Sequence, residues 1–213
     1  MIAAHQTMMG PPALPYDAEV EYLELTGTQW VDSGIIPDST TDAEIECAYD
    51  WSYDVILTFL CGGAGYHNNE FCIVLNGNSE GHAGAIIYEK SRTTDVRKRG
   101  GAAELSGVFC NYRIVGSTAY FGTTTIGTFS DTNISTTNSV YIGATHRNGI
   151  VGGEPFDGKI RYCKLWKSGA LVRDYQPVRV GSGSSAVGYL FDRVSGTLFG
   201  NAGTGAFTIG PDK

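Results

Sequence analysis

The sequence predicts an all-β protein that folds as one antiparallel β-sandwich. Its 213 residues include 29 glycines, 11% aromatic residues and only 17% charged residues, a composition typical of many short strands joined by tight turns. Several segments alternate apolar and polar residues with the period of two that strands require. A chain of this length can bury one hydrophobic core, so we expect a single sandwich domain.

The charge balance and the apolar segments exclude two classes of partner. The formal net charge is −7, which argues against nucleic acid as a ligand because phosphate binding needs a basic surface. No apolar run reaches the roughly 20 residues that a membrane-spanning helix needs, so no membrane partner is expected. The first residues lack the basic and apolar regions of an export signal, and we expect folding in a cytoplasm.

The five cysteines are Cys47, Cys61, Cys72, Cys110 and Cys163, an odd number at irregular spacing. Each lies in an apolar, strand-like run, so we expect buried free thiols; the alternative is one disulfide, for instance between Cys61 and Cys72. No CxxC pair is present, and zinc sites are commonly built from such pairs. The sequence therefore predicts no cofactor; a calcium ion is left open but unsupported.

Residues 1–15 differ in composition from the rest of the chain. Pro11, Pro12 and Pro15 stiffen a segment that has no core-facing period. We expect a flexible N-terminal arm, either a frayed terminus or a segment that docks on a neighbouring subunit of a homo-oligomer. The sandwich domain then spans residues 16–213.

Alternation predicts the strands of this domain one after another. Residues 20–25 and 30–35 are expected to form an opening hairpin, with Leu23 and Leu25 facing inward. Residues 55–63 and 71–78 are apolar enough to be central strands.

In the middle of the chain, the basic segment 89–101 is expected to be a solvated edge strand. Residues 107–122 predict a hairpin that turns at Gly116 and Ser117. Residues 139–149 predict a strand with Val140 and Ile142 inward.

An acidic strand is the strongest catalytic signal in the sequence. In residues 41–50, Asp42, Glu44 and Glu46 share one face, opposite Ile45 and Cys47, because strand side chains alternate. Paired carboxylates about 5 Å apart serve as nucleophile and general acid in retaining glycosidases. The alternative is that the outward side of a half-buried strand is simply polar, and we favour it.

Three polar loops are candidates for ligand binding at the rim of the sandwich. Asparagine, histidine and glycine in such loops can supply donors and acceptors for sugar hydroxyls, although turns alone also favour these residues. The candidate residues are His67, Asn68, Asn69, Asn76, Asn78, His82, His146, Arg147 and Asn148.

Several motifs carry a resemblance to a known fold family. The order YRIVGSTAYF, YIGA and FDGKIRYCKLW resembles the second half of laminin-G-like, concanavalin A-like jelly rolls. In that family a Phe-x-Gly-x-Ile stretch opens a core strand, which Phe156, Gly158 and Ile160 match. Cys163 and Leu165 would then face inward after a break in alternation at Tyr162.

The two ends of the domain extend the resemblance over residues 16–213. EYLELTGTQWVDSG, LVRDYQPV and VGYLFDRVSGTLFGNAGTG are similar to concanavalin A-like proteins of gut bacteria and their tailed phages. The resemblance implies a non-enzymatic recognition or structural module that binds a glycan or host-surface polysaccharide beside other virion or surface proteins. It implies a virion location after folding in the host cytoplasm, or else the bacterial cytoplasm or cell surface.

Two other functions stay open. One is a glycoside hydrolase that uses the acidic strand at 42–46. The other is an assembly domain without a ligand, which oligomerises through the N-terminal arm and exposed sheet edges. Fold alone does not choose among them.

Overall fold

The computed structural model of the protein describes most of the chain. Described residues are 13–49, 56–62, 71–76, 85–91, 95–98, 106–147, 150–151 and 155–213, with the backbone alone for 56–59, 61, 76, 147 and 150. These residues form β-strands and one turn of 3-10 helix at Gly183–Ser185, with no α-helix among them. In this part of the chain, no helix is long and apolar enough to cross a membrane.

The strands are short, apart from one long hairpin near the C-terminus. They are β1 (Ala18–Glu19), β2 (Leu23–Thr26), β3 (Val31–Asp32), β4 (Thr41–Ala48), β5 (Ile56–Cys61), β6 (Cys72–Asn76), β7 (Ala85–Glu89), β8 (Asp95–Lys98), β9 (Cys110–Val115), β10 (Thr118–Phe121), β11 (Thr124–Thr128), β12 (Tyr141–Ile142), β13 (His146–Arg147), β14 (Ile150–Val151), β15 (Asp157–Lys167), β16 (Ala170–Val180), β17 (Val187–Asp192), β18 (Thr197–Phe199) and β19 (Thr208–Ile209).

Two antiparallel sheets make up the sandwich. The large sheet has the order β11-β10-β9-β4-β15-β16-β17-β18, with β2 also paired to β15, β19 to β2 and β1 to β16. The small sheet has the order β3-β12-β5-β6-β7-β8, and β13 pairs with β14. Residues of both sheets join in one hydrophobic cluster, including Ile45 and Leu165 from the large sheet and Leu60, Ile73 and Tyr88 from the small one. The predicted antiparallel β-sandwich is confirmed.

Strand β15 organises the large sheet. It pairs with β4 on one side and with β2 and then β16 on the other. Ile160 is opposite Cys47, but Tyr162 is opposite Glu46, so Arg161 is an extra residue and forms a β-bulge. Ile160, Cys163 and Leu165 are at most 1% exposed. The predicted break in alternation at Tyr162 and the inward positions after it are confirmed.

The predicted opening hairpin is wrong. Leu23 and Leu25 do face the core, but β2 pairs with β15 and β19 in the large sheet, while β3 pairs with β12 in the small sheet. The segment between β2 and β3 therefore crosses from one sheet to the other. Alternation identified both strands but carried no information about their partners.

The glycine-rich tail holds this crossing segment in place. Ala202 N donates to Trp30 O at 2.8 Å and Thr204 N donates to Thr28 O at 3.0 Å. Asn201 Oδ1 accepts hydrogen bonds from Trp30 N and from Gly203 N. A Cβ at Gly203 would overlap the Thr28 carbonyl oxygen and the Trp30 ring, so this position requires glycine for close backbone approach.

The other predicted strands agree with the structure where it describes them. β9 and β10 form the expected hairpin, with Gly116 at φ 57° in its turn. β5 and β6 are central in the small sheet and β8 is at its edge. Val140 and Ile142 are both fully buried.

The cysteines whose side chains are described form no disulfide; they are Cys47, Cys72, Cys110 and Cys163. Cys61 and Cys72 are opposite each other in the β5–β6 pair, yet Cys72 forms no disulfide, so the alternative disulfide is wrong. Burial raises the pKa of the Cys47 thiol well above its usual value. A buried thiol of this kind is chemically inert.

Gly158 allows the close contact between β15 and β4. Its φ is +153°, and a Cβ there would overlap the Ala48 carbonyl oxygen and lie 2.7 Å from Phe156 Cζ. We predict that Gly158→Ala lowers the free energy of unfolding by about 2 kcal/mol or more, from backbone strain and steric overlap. Urea unfolding measures this change.

The control is Gly196→Ala, because Gly196 has φ +71° but no atom lies within 4 Å of the position that a Cβ would take. It should cost only about 1–2 kcal/mol, the usual penalty of a left-handed residue. Equal losses in the two variants would contradict the packing role of Gly158.

Candidate functional site

In the described part of the chain, the outer side of the large sheet is more accessible to solvent than the outer side of the small sheet. On the small sheet, Cys72, Val74 and Ile87 point away from the main core, yet they form a second buried cluster. On β4, by contrast, Asp42, Glu44 and Glu46 are half-buried while the residues between them are buried. A ligand of the sheet surface therefore has access to the large sheet.

We call the solvent side of β10, β9, β4 and β15 the outer face. The residues that form it alternate with core residues and are half-buried. They are Asp42, Glu44, Glu46, Phe109, Asn111, Arg113, Tyr120, Arg161, Tyr162 and Lys164. The predicted side of the acidic strand is thus confirmed, with Ile45 and Cys47 fully buried behind it.

The centre of the outer face is a hydrogen-bonded group of three side chains. Tyr162 donates its hydroxyl to Glu44 Oε1 at 2.7 Å. Asn111 Nδ2 donates to Glu44 Oε1 at 2.9 Å and to the Tyr162 hydroxyl at 2.7 Å. Because β4 lies between β9 and β15, Asn111 and Tyr162 reach across it. Burial and the hydrogen bond to Glu44 raise the pKa of Tyr162, so its hydroxyl stays protonated.

Arg161, the bulge residue, joins the carboxylate of Glu46 to an aromatic ring. Its Nη1 donates to Glu46 Oε1 at 3.2 Å. Its guanidinium carbon is 3.8 Å from the centroid of the Phe109 ring, within the range of a cation–π contact. The side chain of Arg161 is still 38% exposed, so the group can also contact a ligand.

Further along the face, charged groups are held beside the aromatic rings. The Arg113 guanidinium is 4.9 Å from the Tyr120 ring centroid. Lys164 Nζ is 5.7 Å from the Tyr162 ring and 3.8 Å from Asp174 Oδ1.

Asp42 has a structural role at the end of the acidic strand. Its Oδ1 accepts hydrogen bonds from Lys90 Nζ at 2.9 Å and from Gly116 N at 2.8 Å. Lys90 is fully buried and also donates to Gly116 O at 2.7 Å. Asp42 therefore holds the β9–β10 turn against the residue that follows β7.

A pocket opens at the end of the outer face where β2 joins β15. Its volume is about 400 Å³, and its polar lining residues are Glu24, Tyr49, Ser106, Asp157 and Lys159. Lys159 Nζ is 4.8 Å from the centroid of the Tyr22 ring. A pocket of this size is at the lower end of the range for small-molecule sites.

The predicted rim residues are mostly outside the described part of the chain. His67, Asn68, Asn69, Asn78, His82 and Asn148 are not described, and Asn76 and Arg147 are described by backbone alone. For these residues, rim binding stays a prediction.

His146 is the one rim candidate with a described side chain. It is 8% exposed, and its ring stacks on Tyr141 with the centroids 3.9 Å apart. Its Nδ1 is 2.8 Å from Ser139 O; since a carbonyl oxygen only accepts, Nδ1 carries the proton of this bond. The imidazole thus packs within the structure and presents little surface to a ligand.

Sequence reasoning missed Phe109, Asn111, Arg161 and Tyr162 as partners of the acidic strand. The alternation in residues 109–115, with Tyr112 and Ile114 inward, could have placed Asn111 and Arg113 on an outward surface. Their position beside Glu44 depends on strand register, which alternation does not reveal.

Within the described residues, no group of three or more histidine, cysteine, aspartate or glutamate side chains could hold a metal ion. The outer face offers instead a row of hydrogen-bond donors and acceptors beside half-buried rings. This arrangement suits a polar organic ligand.

No family model and no curated protein sequence matches the chain. A protein of Bacteroides ovatus ATCC 8483, provisionally named a carbohydrate binding protein, has a similar structure, with a TM-score of 0.59 at 13% identity. The similarity covers 92% of this chain and 61% of that one, so this chain spans under two thirds of its length. It shows that the two proteins share a fold.

Two other solved structures are more distant. The CBM40 of Ruminococcus gnavus IT-sialidase, bound to α2,3 sialyllactose, has a TM-score of 0.48 at 14% identity and covers 68% of this chain and 89% of that one. The SAP-like pentraxin of Limulus polyphemus has a TM-score of 0.41 at 11% identity, covering 73% and 72%. The fold of this protein is an antiparallel β-sandwich of the jelly-roll type.

The hydroxyl of Tyr162 should contribute measurably to stability. We predict that Tyr162→Phe lowers the free energy of unfolding by about 1 kcal/mol, because it removes the bond to Glu44 and leaves Asn111 without one acceptor. The control is Tyr189→Phe, since the Tyr189 hydroxyl makes no hydrogen bond among the described residues. Equal unfolding energies for the two variants in urea would show that the three-residue group is not stabilising.

Proposed function

We propose that the protein is a non-catalytic module that binds carbohydrate on its outer face. The observation that carries the proposal is the row of half-buried rings beside paired hydrogen-bonding groups around Glu44, Arg161 and Tyr162. A sugar ring has hydroxyls that both donate and accept, and C–H faces that pack on aromatic rings. Sites for such ligands combine apolar rings with a few placed polar groups.

Pre-organisation of these groups favours binding. Arg161 is held by Glu46 and Phe109, and Tyr162 is held by Glu44 and Asn111. Because their side chains are already fixed, a ligand pays little of the conformational entropy that ordering them would cost. The fold shared with the B. ovatus protein agrees with the proposal but does not carry it.

The same contacts argue against hydrolysis by Glu44 and Glu46. A retaining glycosidase needs one carboxyl that protonates the leaving oxygen and another that attacks the sugar. Glu44 Oε1 accepts from both Tyr162 and Asn111, and Glu46 is paired with Arg161. Both carboxylates are therefore already bonded to side chains of neighbouring strands.

We also propose a biological setting, on the sequence resemblance to proteins of gut bacteria and tailed phages. The protein is a virion component, folded in the host cytoplasm, that binds a host-surface polysaccharide. Capsid and tail genes beside its own gene would support this setting. A locus of bacterial surface proteins would favour the surface-associated form of the same function.

Binding to a panel of immobilised plant, microbial and mucin glycans tests the function. We expect at least one neutral glycan to bind, and we expect Arg161→Gln and Glu46→Gln each to weaken it by about tenfold, since each removes a charged hydrogen-bonding group. The control is Arg193→Gln, at a half-exposed arginine outside the outer face. It should bind like the unsubstituted protein.

Two results would overturn the proposal. One is glycan binding that all three variants retain, which would place the site elsewhere, for example in the rim loops. The other is release of reducing sugar from the bound glycan, with loss of that activity in Glu44→Gln or Glu46→Gln. The second result would identify a glycoside hydrolase.

A further inference from the structure

Apolar side chains cross the outer side of the large sheet at the end where β9 turns into β10. Trp166 on β15 is opposite Asp42 on β4 and opposite Leu171 on β16, and residues directly opposite each other point to the same side of a sheet. Val115 is the next outward residue of β9 after Arg113, so it lies beside Asp42. We call Val115, Trp166 and Leu171 the apolar strip.

The side chains of the apolar strip are accessible to a ligand. Leu171 is 37% exposed and Val115 is 45% exposed, while Trp166 is half-buried. Within the described residues, the Trp166 indole makes no hydrogen bond and no ring contact. By contrast, Trp30 stacks on Tyr141 with the ring centroids 6.4 Å apart. Trp166 therefore offers an apolar ring and an unused N–H donor.

The charge of Asp42, which lies between Val115 and Trp166, is already paired. Its Oδ1 is 2.9 Å from Lys90 Nζ and also accepts a hydrogen bond from Gly116 N. A ligand that contacts the apolar strip therefore meets mainly apolar side chains. The C–H face of a sugar ring packs well on a surface of this kind.

The apolar strip continues the row of groups proposed to bind carbohydrate. Tyr162, Lys164 and Trp166 alternate with the core residues of β15 and are half-buried. At about 3.3 Å per residue, the strand advances about 13 Å from Tyr162 to Trp166. This distance exceeds the length of a single sugar ring, so only a chain of sugars can contact both side chains.

We propose that the apolar strip is a second subsite in which Trp166 stacks on a sugar ring, and that the ligand is a glycan chain that runs along β15 from Tyr162 to Trp166. The inference rests on the proposed function. Tryptophan contributes a large ring to such a contact, and its N–H can donate to a sugar hydroxyl. A protein partner fits less well, because a stable protein interface buries about 1,600 Å² and the apolar strip has only three side chains.

The dependence of binding on chain length tests the inference with defined probes. These are cello-, laminari-, manno- and xylo-oligosaccharides, each from the disaccharide to the hexasaccharide, titrated calorimetrically. We expect the affinity of at least one series to rise by about tenfold or more with chain length. Trp166→Ala should weaken binding of that hexasaccharide by about tenfold or more and remove most of the gain, because tryptophan is the typical anchor of a binding surface.

Tryptophan fluorescence gives a readout that a purely structural role of Trp166 would not change. A sugar stacked on the indole shields it from water, so binding of the hexasaccharide should shift the emission to shorter wavelength. Trp166→Phe should abolish this shift. The matched control is Trp30→Phe, because Trp30 lies in the segment that crosses between the sheets and packs on Tyr141. It should retain both the shift and the affinity.

Several results would overturn the second subsite. If Trp166→Ala binds the hexasaccharide unchanged while Arg161→Gln weakens it, the proposed function stands without the apolar strip. Equal affinity for short and long chains, or absence of binding by every series, would also overturn the inference. A change of oligomeric state in Trp166→Ala, measured by size-exclusion chromatography, would identify a self-association surface instead. Failure of the glycan panel would remove the proposed function itself.

Discussion

The β-bulge at Arg161 is the constraint that relates the core of this protein to its outer face. Ile160 is in the core. Without the extra residue, strict alternation along β15 would therefore place Tyr162 in the core as well. The bulge leaves Arg161 unpaired opposite β4, and both Arg161 and Tyr162 then reach the solvent side, while Cys163 and Leu165 return to the core. One inserted residue thus supplies two adjacent polar groups without removing apolar side chains from the core.

The contacts that stabilise the sheet also fix the side chains of the proposed carbohydrate site. Glu44 and Glu46 bind side chains of β9 and β15 across the strands, and buried polar groups need such partners to offset desolvation. The same bonds hold the rings of Tyr162 and Phe109 beside fixed donors. The binding role proposed for the outer face depends on this pairing.

Alternation in the sequence was sufficient for local structure and insufficient for pairing. It placed Leu23, Leu25, Ile45 and Cys47 in the core correctly because the period of two is a local property. It failed for the opening hairpin because β2 finds its partners, β15 and β19, in the last third of the chain. The glycine-rich tail lies against residues 28–30, and no local pattern in the sequence identifies that segment as its partner.

In the candidate site, too, alternation predicted which side chains face outward but not which of them lie together. The acidic side of β4 followed from alternation, whereas its partners Asn111, Arg161 and Tyr162 depend on register and on a bulge. The rim loops were proposed from composition, and their one described histidine is packed on Tyr141.

A crystal structure of the protein with the tightest-binding glycan of the panel tests the central claim most directly. We predict density for sugar rings over Glu44, Arg161 and Tyr162. Density in the rim loops at 64–70, 76–84 or 144–155, with the outer face bare, would contradict it.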